Sequence, residues 1–193
     1  MGAGGLLVGM GGQTGRVVGE EAGPPAQEQA ATPSGVGWFR DPEGRFSLVL
    51  PEGWAPPQKL KRGADAYFVD AESKYNNLGV TASRVRIDGV EAFGTLEAAG
   101  MKLLAAERAK DSVLSAELLS QVSRQGASGT LFYDFTYTVV TSYGPKQVQC
   151  SVGVADHTLF IANGQVFCKE GGCEEVKVAA LHGALQTFDV GVS

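Results

Sequence analysis

The sequence predicts an α+β fold in which a central antiparallel sheet is flanked by helices. Apolar and polar residues alternate in several segments between 46 and 165, which is the pattern of half-buried strands. Two other segments, 95–110 and 174–188, carry apolar residues at helical spacing. The later strands follow one another through short turns, and short turns favour antiparallel pairing over parallel crossovers.

The overall composition fits one globular domain. The chain has 193 residues, of which 44% are hydrophobic, and this is enough for one core of ordinary size. The net charge of −5 lacks the basic character that non-specific nucleic-acid binding requires, so no nucleic-acid partner is expected. No stretch approaches the ~18 consecutive apolar residues of a membrane-spanning helix. The one basic cluster, 59–62, is interpreted as a solvated loop or as a docking patch for an acidic partner.

The first 37 residues differ in composition from the rest. The segment Met1 to Gly37 is rich in Gly, Ala, Pro and Gln. It contains too little apolar surface to offset the entropy lost on ordering, so we expect a disordered arm. A second interpretation is the remnant of a targeting segment, although no basic region precedes it and no Ala-x-Ala site follows it. The ordered domain is then expected over residues 38–193.

Three short strands are expected at the start of this domain. Apolar residues alternate along 46–50, and a Pro-Glu-Gly turn then ends the strand. Trp54 follows that turn and is expected to anchor the core, because burying such a ring is worth about 2–3 kcal/mol. Residues 66–69 and 78–87 provide the second and third strands.

A helix is expected over 95–110. Thr95 can cap its first turn, and Glu97 suits the positive N-terminal end of the helix dipole. Leu96 and Leu103 share one apolar stripe, so this helix should cover one face of the sheet.

The long middle of the domain predicts consecutive antiparallel strands. Residues 117–124 form one strand, and a Gly-Ala-Ser-Gly turn leads into TLFYDFTYTVV at 130–140. Both faces of this second strand carry apolar side chains, which is typical of a central strand with other elements packed on each side. The segments 147–155 and 158–165 complete a meander through a tight two-residue turn.

A second helix closes the domain. Val178, Leu181 and Leu185 recur at helical spacing, which predicts one apolar stripe. Glu174 and Glu175 lie at the end where the helix dipole favours negative charge. This helix is expected to cover one face of the sheet.

The stretch FRDPEGRFSLVLPEGW at 39–54 resembles the beginning of the domain in PsbP-family proteins. These are extrinsic proteins of the thylakoid lumen, related to a subunit of the oxygen-evolving complex of photosystem II. In that family an aromatic residue, an acidic turn and a glycine lead into a strand, which stops at a proline followed closely by Gly-Trp. The matching positions in this chain are Phe39, Asp41, Gly44, Phe46, Pro51, Gly53 and Trp54.

Three later segments also resemble the family. TLFYDFTYTVV is similar to its aromatic strand, SVGVADHTLFIANG to the hairpin behind that strand, and LHGALQTFDV to its closing helix and the strand-like residues that end the domain. Asp156 stands at the turn of the hairpin. The resemblance covers roughly residues 36–190, which is the whole part expected to be ordered.

The resemblance implies a Mog-one-like α/β/α sandwich, in agreement with the fold class predicted from the pattern of elements. It implies the chloroplast thylakoid lumen as the compartment, and the binding or assembly of photosynthetic complexes rather than catalysis. The expected partners are lumenal subunits of a photosystem, reached at the thylakoid membrane surface through protein contacts. The free protein is expected to be a monomer.

The sequence departs from the oxygen-evolving subunit at two points. That subunit carries a histidine implicated in metal binding just before the strand matched here by QVQCSVGVA, whereas Lys146 stands near that place. That subunit's N-terminal arm also orders on docking, and the Gly/Pro-rich arm of this chain is not recognisably the same. A PsbP-like or PsbP-domain relative is therefore expected, rather than the water-oxidation subunit itself.

Cys168 and Cys173 flank a Lys-Glu-Gly-Gly loop, and the two glycines allow that loop to close tightly. Three interpretations remain open: a disulfide, two free thiols, or part of a metal site. A disulfide across so short a loop contributes roughly 2–3 kcal/mol at most, and it could also serve as a redox switch. Cys150 alternates within a strand and is expected to be a small buried apolar residue.

The remaining polar residues form no recognised catalytic pattern, so we expect a protein that is not an enzyme. His157 and His182 are interpreted as turn and surface histidines, since no Gly-x-Ser-x-Gly elbow accompanies them. Asp134 lies in the middle of a strand and needs a partner that the sequence does not identify.

Three carboxylates are the candidates for a metal site. Asp65, Asp70 and Glu72 are close in sequence, and calcium or manganese is the ion that such oxygen ligands would bind. Calcium needs six or more oxygens, and this spacing is not that of an EF-hand. No cofactor is therefore assigned.

The leading hypothesis is a non-enzymatic lumenal protein that binds a photosynthetic complex, with photosystem II first among them, and supports its assembly or stability. The alternative is a redox-responsive assembly factor that uses Cys168 and Cys173. It would act on photosystem I or on the chloroplast dehydrogenase-like complex.

Overall fold

The computed structural model describes residues 37–56, 63–169 and 172–191. The expected disordered arm, apart from Gly37, and the basic cluster at 59–62 lie outside these ranges. No helix within them is long and apolar enough to cross a membrane.

The described ranges form ten strands, two α-helices and one 3-10 turn, which spans Val90–Phe93. The two helices are α1 (Leu96–Arg108) and α2 (Glu175–Gln186). The strands are β1 (Trp38–Arg40), β2 (Phe46–Val49), β3 (Trp54–Ala55), β4 (Ala66–Asp70), β5 (Asn77–Arg84), β6 (Val113–Gln125), β7 (Leu131–Thr141), β8 (Gly144–Ala155), β9 (Thr158–Phe167) and β10 (Asp189–Val190).

Seven strands form the central sheet, in the order β3-β4-β5-β9-β8-β7-β6, and every neighbouring pair is antiparallel. The predicted meander is confirmed and is longer than expected, because β6 pairs with β7 along almost its whole length. A second, three-stranded sheet has the order β1-β2-β10 and joins the start of the domain to its end. This is an α/β/α sandwich with a small sheet added, as the fold class predicted.

Two hydrophobic cores lie on opposite faces of the central sheet. The first core fills the space between that sheet, α2 and the small sheet, and its fully buried rings are Phe46, Phe68, Phe132 and Phe188. The second core lies toward α1 and the 3-10 turn, and Tyr137 is its largest fully buried side chain. Strand β7 contributes side chains to both cores, since Phe132 packs in the first and its neighbour Tyr133 packs in the second.

The N-terminal cap of α1 forms as the sequence predicted. The Thr95 hydroxyl accepts a hydrogen bond from the Ala98 N–H at 3.3 Å, and Glu97 lies in the first turn. Glu174 occupies the N-cap position of α2 without a side-chain cap, and Glu175 begins the first turn. Helical spacing therefore located both helices to within about two residues.

Several short elements were not predicted. The strands β1 and β3 have three residues or fewer, and strands this short carry no readable alternation. The equally short β10 lies at the strand-like end that the family resemblance indicated. The expected strand at 78–87 ends at Arg84, and the expected strand at 117–124 begins earlier, at Val113. β6 shows register shifts against β7 at two places, and such irregularities mask the two-residue period in the sequence.

Two glycines let α2 and a core ring approach the sheet closely. A methyl group added at Gly164 would collide with the Leu181 side chain of α2. A methyl group at Gly153 would lie 2.6 Å from the Phe132 ring, where there is no room for it.

Candidate functional site

The loop between β1 and β2 is held by a charged network centred on Arg45. The Asp41 carboxylate accepts hydrogen bonds from Arg45 at 2.8 Å from Nε and 3.0 Å from Nη2. Nη1 of Arg45 lies 3.0 Å from Oδ1 of Asp65, which ties the loop to the start of β4. Burial opposes ionisation of Asp41, but the hydrogen bonds from Arg45 outweigh it and hold the pKa of Asp41 below its ordinary value.

Gly44 gives this loop its shape. Its φ of 70° lies in the left-handed region that favours glycine, and its N–H donates to the Asp41 carbonyl at 2.8 Å. The turn places Phe46 fully buried at the start of β2. The Phe39 ring meets the Phe68 ring edge-on, with 4.9 Å between centroids, and covers this end of the first core.

The second half of the family motif forms a tight stop after β2. The Trp54 N–H donates to the Pro51 carbonyl at 3.1 Å, and Gly53 between them has a φ of 76°. Trp54 is buried in the first core. The structure thus gives Pro51, Gly53 and Trp54 a role in ending the strand and placing the indole ring in the core.

Asp156 lies at the tip of the β8–β9 hairpin. Asp156 and His157 have φ values of 47° and 54°, as a two-residue turn of type I′ requires. The Asp156 carbonyl accepts a hydrogen bond from Nη1 of Arg84 at 3.1 Å. The hairpin tip is thereby fixed to the end of β5.

The network and the hairpin meet at an open groove of about 360 Å³. We call it the hairpin groove. Its floor is apolar, with Ala82, Ala155 and Phe160, and its rim carries Glu43, Arg45 and Arg84. The remaining lining residues are Asp156, Thr158 and Gly191.

The two arginines of the groove differ in their partners. Arg45 contacts the carboxylates of Asp41, Glu43 and Asp65, so its charge is balanced within the protein. Arg84 is exposed and takes part in none of the ion pairs found in the described ranges. Its guanidinium is therefore suited to a carboxylate of a partner molecule.

Cys168 and Cys173 form a disulfide. It links the residue after β9 to the residues just before α2, and a backbone bridge between Lys169 and Gly172 closes the same loop. Cys168 is buried. Of the three interpretations left open by the sequence, the structure shows the disulfide.

Cys150 is the free cysteine of the described ranges, and it is buried in the second core. Burial, together with the nearby negative charges of Asp134 and Glu107, raises the pKa of the Cys150 thiol to about 12. A thiol with such a pKa stays protonated at neutral pH and is a poor nucleophile. The expected role as a small buried residue agrees with this position.

Asp134 has partners that the sequence did not identify. Its Oδ2 lies 2.7 Å from Nε of Arg124, and its Oδ1 accepts a hydrogen bond from the Ser151 hydroxyl at 2.6 Å. Asp134 and Ser151 line a small pocket of about 70 Å³ beside α2, whose lining also includes His182 and Cys150. Arg124 and Asp134 are diagonal neighbours across the β6–β7 hairpin, so knowledge of the hairpin register would have revealed the pair.

The candidate metal ligands are separated into two ion-pair networks. Asp65 contacts Arg45, whereas Asp70 and Glu72 contact Lys177 of α2 at 3.2 and 2.8 Å. No group of three or more His, Cys, Asp or Glu that could hold a metal ion occurs in the described ranges. These three carboxylates therefore stabilise the fold by pairing with cations, and the structure does not bring them together.

Both histidines lie on the surface. His157 is exposed, and its Nδ1 lies 3.1 Å from Oδ1 of the exposed Asp88. His182 is exposed on α2. The interpretation as turn and surface histidines agrees with these positions.

The sequence of the domain matches one known protein family. The family model for PsbP matches residues 34–190, which include almost all of the described domain. The chain belongs to the PsbP family.

Two similar proteins illustrate the family. The chain is 32% identical over 126 residues to PsbP domain-containing protein 2, chloroplastic, of Arabidopsis thaliana. This alignment covers 65% of the chain and 53% of the relative, so the chain spans about half the length of that protein. The solution structure of cyanobacterial PsbP (CyanoP) from Synechocystis sp. PCC 6803 superposes with a TM-score of 0.61 at 17% identity, covering 86% of this chain and 99% of that one. At this identity the similarity establishes the shared fold.

Proposed function

We propose that this protein is a non-enzymatic extrinsic protein of the chloroplast thylakoid lumen that binds a photosynthetic complex. The observation that carries the proposal is the match of the PsbP family model over residues 34–190. The chloroplast is supported by the name of the similar Arabidopsis protein. Photosystem II is the proposed complex, because the family is related to a subunit of its oxygen-evolving complex. The lumenal subunits of photosystem II are the proposed partners.

The proposed role is support of assembly or stability rather than catalysis. The chemistry of the described side chains favours this role. The buried Cys150 thiol is protonated at neutral pH because its pKa is raised, and His157 contacts Asp88 on the open surface, where water competes for both groups. Neither arrangement provides an activated nucleophile.

The hairpin groove is the proposed contact with the partner. Arg84 offers a guanidinium to a partner carboxylate, and the apolar floor beside it can accept the neighbouring side chain. A contact of this size alone is weak, so further surface must contribute to a stable complex. Association with the membrane is proposed to occur through such protein contacts, with the free protein a monomer.

Native gel electrophoresis of solubilised thylakoids with mass spectrometry tests the proposal. Co-migration with photosystem II is the expected result. Protection from added protease in intact thylakoids, and its loss after sonication, is the expected sign of a lumenal position. A protein found only in the stroma or migrating free in every preparation would contradict the proposal.

A redox-responsive assembly factor for photosystem I or the chloroplast dehydrogenase-like complex is the second candidate. The Cys168–Cys173 disulfide is the observation on which it rests. Reduction would release the start of α2 from the end of β9. If partner binding by the full chain is the same with and without reductant, and the same for Cys173→Ser, the disulfide serves only stability and this candidate is rejected.

A further inference from the structure

Three neighbouring strands have no helix on one of their two faces within the described part of the chain. On the side of the second core, α1 packs on β6 and β7, and the 3-10 turn packs on β7 and β8. Strands β4, β5 and β9 lie next to this covered region in the same sheet. We call their surface on that side the open face.

The burial pattern follows this arrangement along each strand. Residues that point toward α2, such as Phe68, Val80 and Ala162, are almost fully buried. Residues that point the other way, such as Val69 and Gln165, are only half-buried, and Asn163 is exposed. Side chains on the α2 side of these three strands are thus consistently more buried than side chains on the opposite side.

The composition of the open face is unusual for a surface that meets only water. A sheet with one solvated face normally carries polar residues there. Here none of the residues that the three strands direct to this side is charged: the apolar and aromatic ones away from the second core are Tyr67, Val69, Leu159 and Phe167, and the polar ones are Asn77, Thr81, Ser83, Asn163 and Gln165. Depletion of charged residues is typical of the centre of a protein–protein interface.

One end of the open face carries an exposed aromatic residue. Tyr75 is 58% exposed as a residue, and its ring centroid lies 5.6 Å from that of Phe167. Nζ of Lys74 lies 5.6 Å from the Tyr75 ring centroid. Exposed tyrosines beside a cation are frequent anchors of binding interfaces.

The open face lacks the negative charge that the protein has as a whole, and two lysines flank it. No residue that β4, β5 or β9 directs toward this side is Asp or Glu, although the chain has a net charge of −5. The cations are Lys74 at the loop before β5 and Lys146, whose Nζ donates to the Gln165 amide oxygen at 2.9 Å. This distribution complements a partner that carries carboxylates.

The dimensions of the open face fit one helix. Three strands about 4.8 Å apart provide a width of about 14 Å, and a helix with its side chains is about 10 Å across. Strands β5 and β9 have eight and ten residues, which correspond to roughly 26 and 33 Å, whereas β4 has five residues and covers only about 17 Å. A helix of about 15 residues spans about 22 Å and would lie on these strands beside α1.

We propose that the open face binds an amphipathic helix of a partner protein, with an apolar stripe on the sheet and carboxylates near Lys74 and Lys146. This inference rests on the proposed function, in which the partner is a subunit of a photosynthetic complex. The partner helix completes the layer that α1 begins on the same side of the sheet.

A pair of designed peptides tests the proposal on the full chain. The first is a 16-residue amphipathic helix with a leucine stripe and glutamates flanking it, and the second has lysines in place of the glutamates. Backbone amide NMR and calorimetry measure where and how tightly each binds. Shifts centred on Gly79, Asn163 and Phe167, with at least tenfold tighter binding of the acidic peptide, are the expected result.

Substitutions at Asn163 test whether the charge of the open face or only the size of its side chains controls peptide binding. Asn163→Glu is expected to weaken binding of the acidic peptide at least tenfold, whereas Asn163→Lys retains it. Ser120→Glu is the matched control, because Ser120 is also an exposed strand residue but lies on β6, on the opposite face of the sheet. Equal affinity for both peptides, or shifts centred elsewhere, would overturn the proposal. Shifts of the open face on concentration without peptide would identify a second copy as the occupant and would also overturn it.

Native gels distinguish failure of this inference from failure of the proposed function. If wild type and Asn163→Glu co-migrate equally with a photosystem, the function stands and the open face is rejected as its docking surface. If wild type co-migrates with no complex, the function is rejected, and the peptide measurements alone decide the binding property of the open face.

Discussion

Arg124 and Asp134 join three elements through one ion pair. Nε of Arg124 lies 2.7 Å from Oδ2 of Asp134, and both side chains are largely buried. Nη2 of Arg124 also donates to the carbonyls of Leu185 and Phe188 at 3.0 Å each, where α2 ends. The pair therefore holds the end of α2 on strands β6 and β7.

Arg124→Met is expected to destabilise the protein by roughly 3 kcal/mol, because it leaves a buried carboxylate without its cation and two carbonyls without a donor. Asp134→Asn is the matched comparison and should lose only about 1 kcal/mol, since Arg124 keeps both carbonyls. Urea unfolding followed by circular dichroism measures the difference. Equal losses for the two variants would show that the carbonyl contacts contribute nothing.

The stability of the protein should be insensitive to pH between about 7 and 5 as far as Asp41 and Asp70 are concerned. Burial raises the pKa of each carboxyl, but for Asp41 the hydrogen bonds from Arg45, and for Asp70 those from Asn76, the Glu72 backbone and Lys177, lower it below 3.8. A group with a lower pKa in the folded state binds fewer protons there, so protonation favours unfolding. Their contribution is present above about pH 4 and is lost as the pH falls through the folded-state values.

Asp70→Asn tests this pH dependence. Compared with wild type it should be less stable at neutral pH, and the difference should shrink as the pH falls below about 4. Denaturant unfolding across this range provides the measurement. A difference that stays constant down to about pH 3 would contradict the pairing of Asp70 with Lys177 as its origin.

Two glycine substitutions should have opposite effects. Gly153→Ala places a methyl group against the Phe132 ring and should destabilise by about 1–3 kcal/mol. Gly183→Ala in α2 meets no atom within 4 Å and should stabilise by about 0.5–1 kcal/mol, because alanine favours the helix. Thermal unfolding measures both effects: relative to wild type, the melting temperature should fall for Gly153→Ala and rise for Gly183→Ala. Destabilisation by Gly183→Ala would mean that this side of α2 is not open as described.

Loss of the disulfide should have a modest effect. Replacing Cys168 and Cys173 by serine removes the closure of a very short loop, which the chain-entropy relation values at roughly 2 kcal/mol. The melting temperature should therefore fall by several degrees while the domain stays folded. Added reductant should lower the melting temperature of wild type but not of the double variant. If reductant lowered the melting temperature of both wild type and the double variant, its effect would not arise from the Cys168–Cys173 disulfide.

The long elements could be predicted because their patterns repeat. The helix at Leu96–Arg108 and the strands at 131–141 and 158–167 each provide several turns or pairs of residues, and their periods identify them. β1 and β10 could not be predicted in this way, since each depends on pairing with β2 from the opposite end of the domain. Such pairing is a property of the folded chain and has no local signal.

The candidate site was predictable only in part. The motif around Asp41 and Gly44 marked one wall of the hairpin groove, and Asp156 marked another. Arg84 was missed because nothing near it in the sequence indicates that β5 runs beside the β8–β9 hairpin. The partner of Asp134 was missed for the same reason, since Arg124 approaches it only through the hairpin register.

Rebinding to thylakoid vesicles tests the central claim most directly. The purified full chain is added to washed inside-out vesicles, which expose the lumenal surface, and to right-side-out vesicles as the control. A lumenal extrinsic protein is expected to bind the inside-out vesicles saturably and to be recovered with photosystem II after solubilisation, while right-side-out vesicles bind little. Equal binding to both orientations, or none to either, would contradict a role at the lumenal face of a photosynthetic complex.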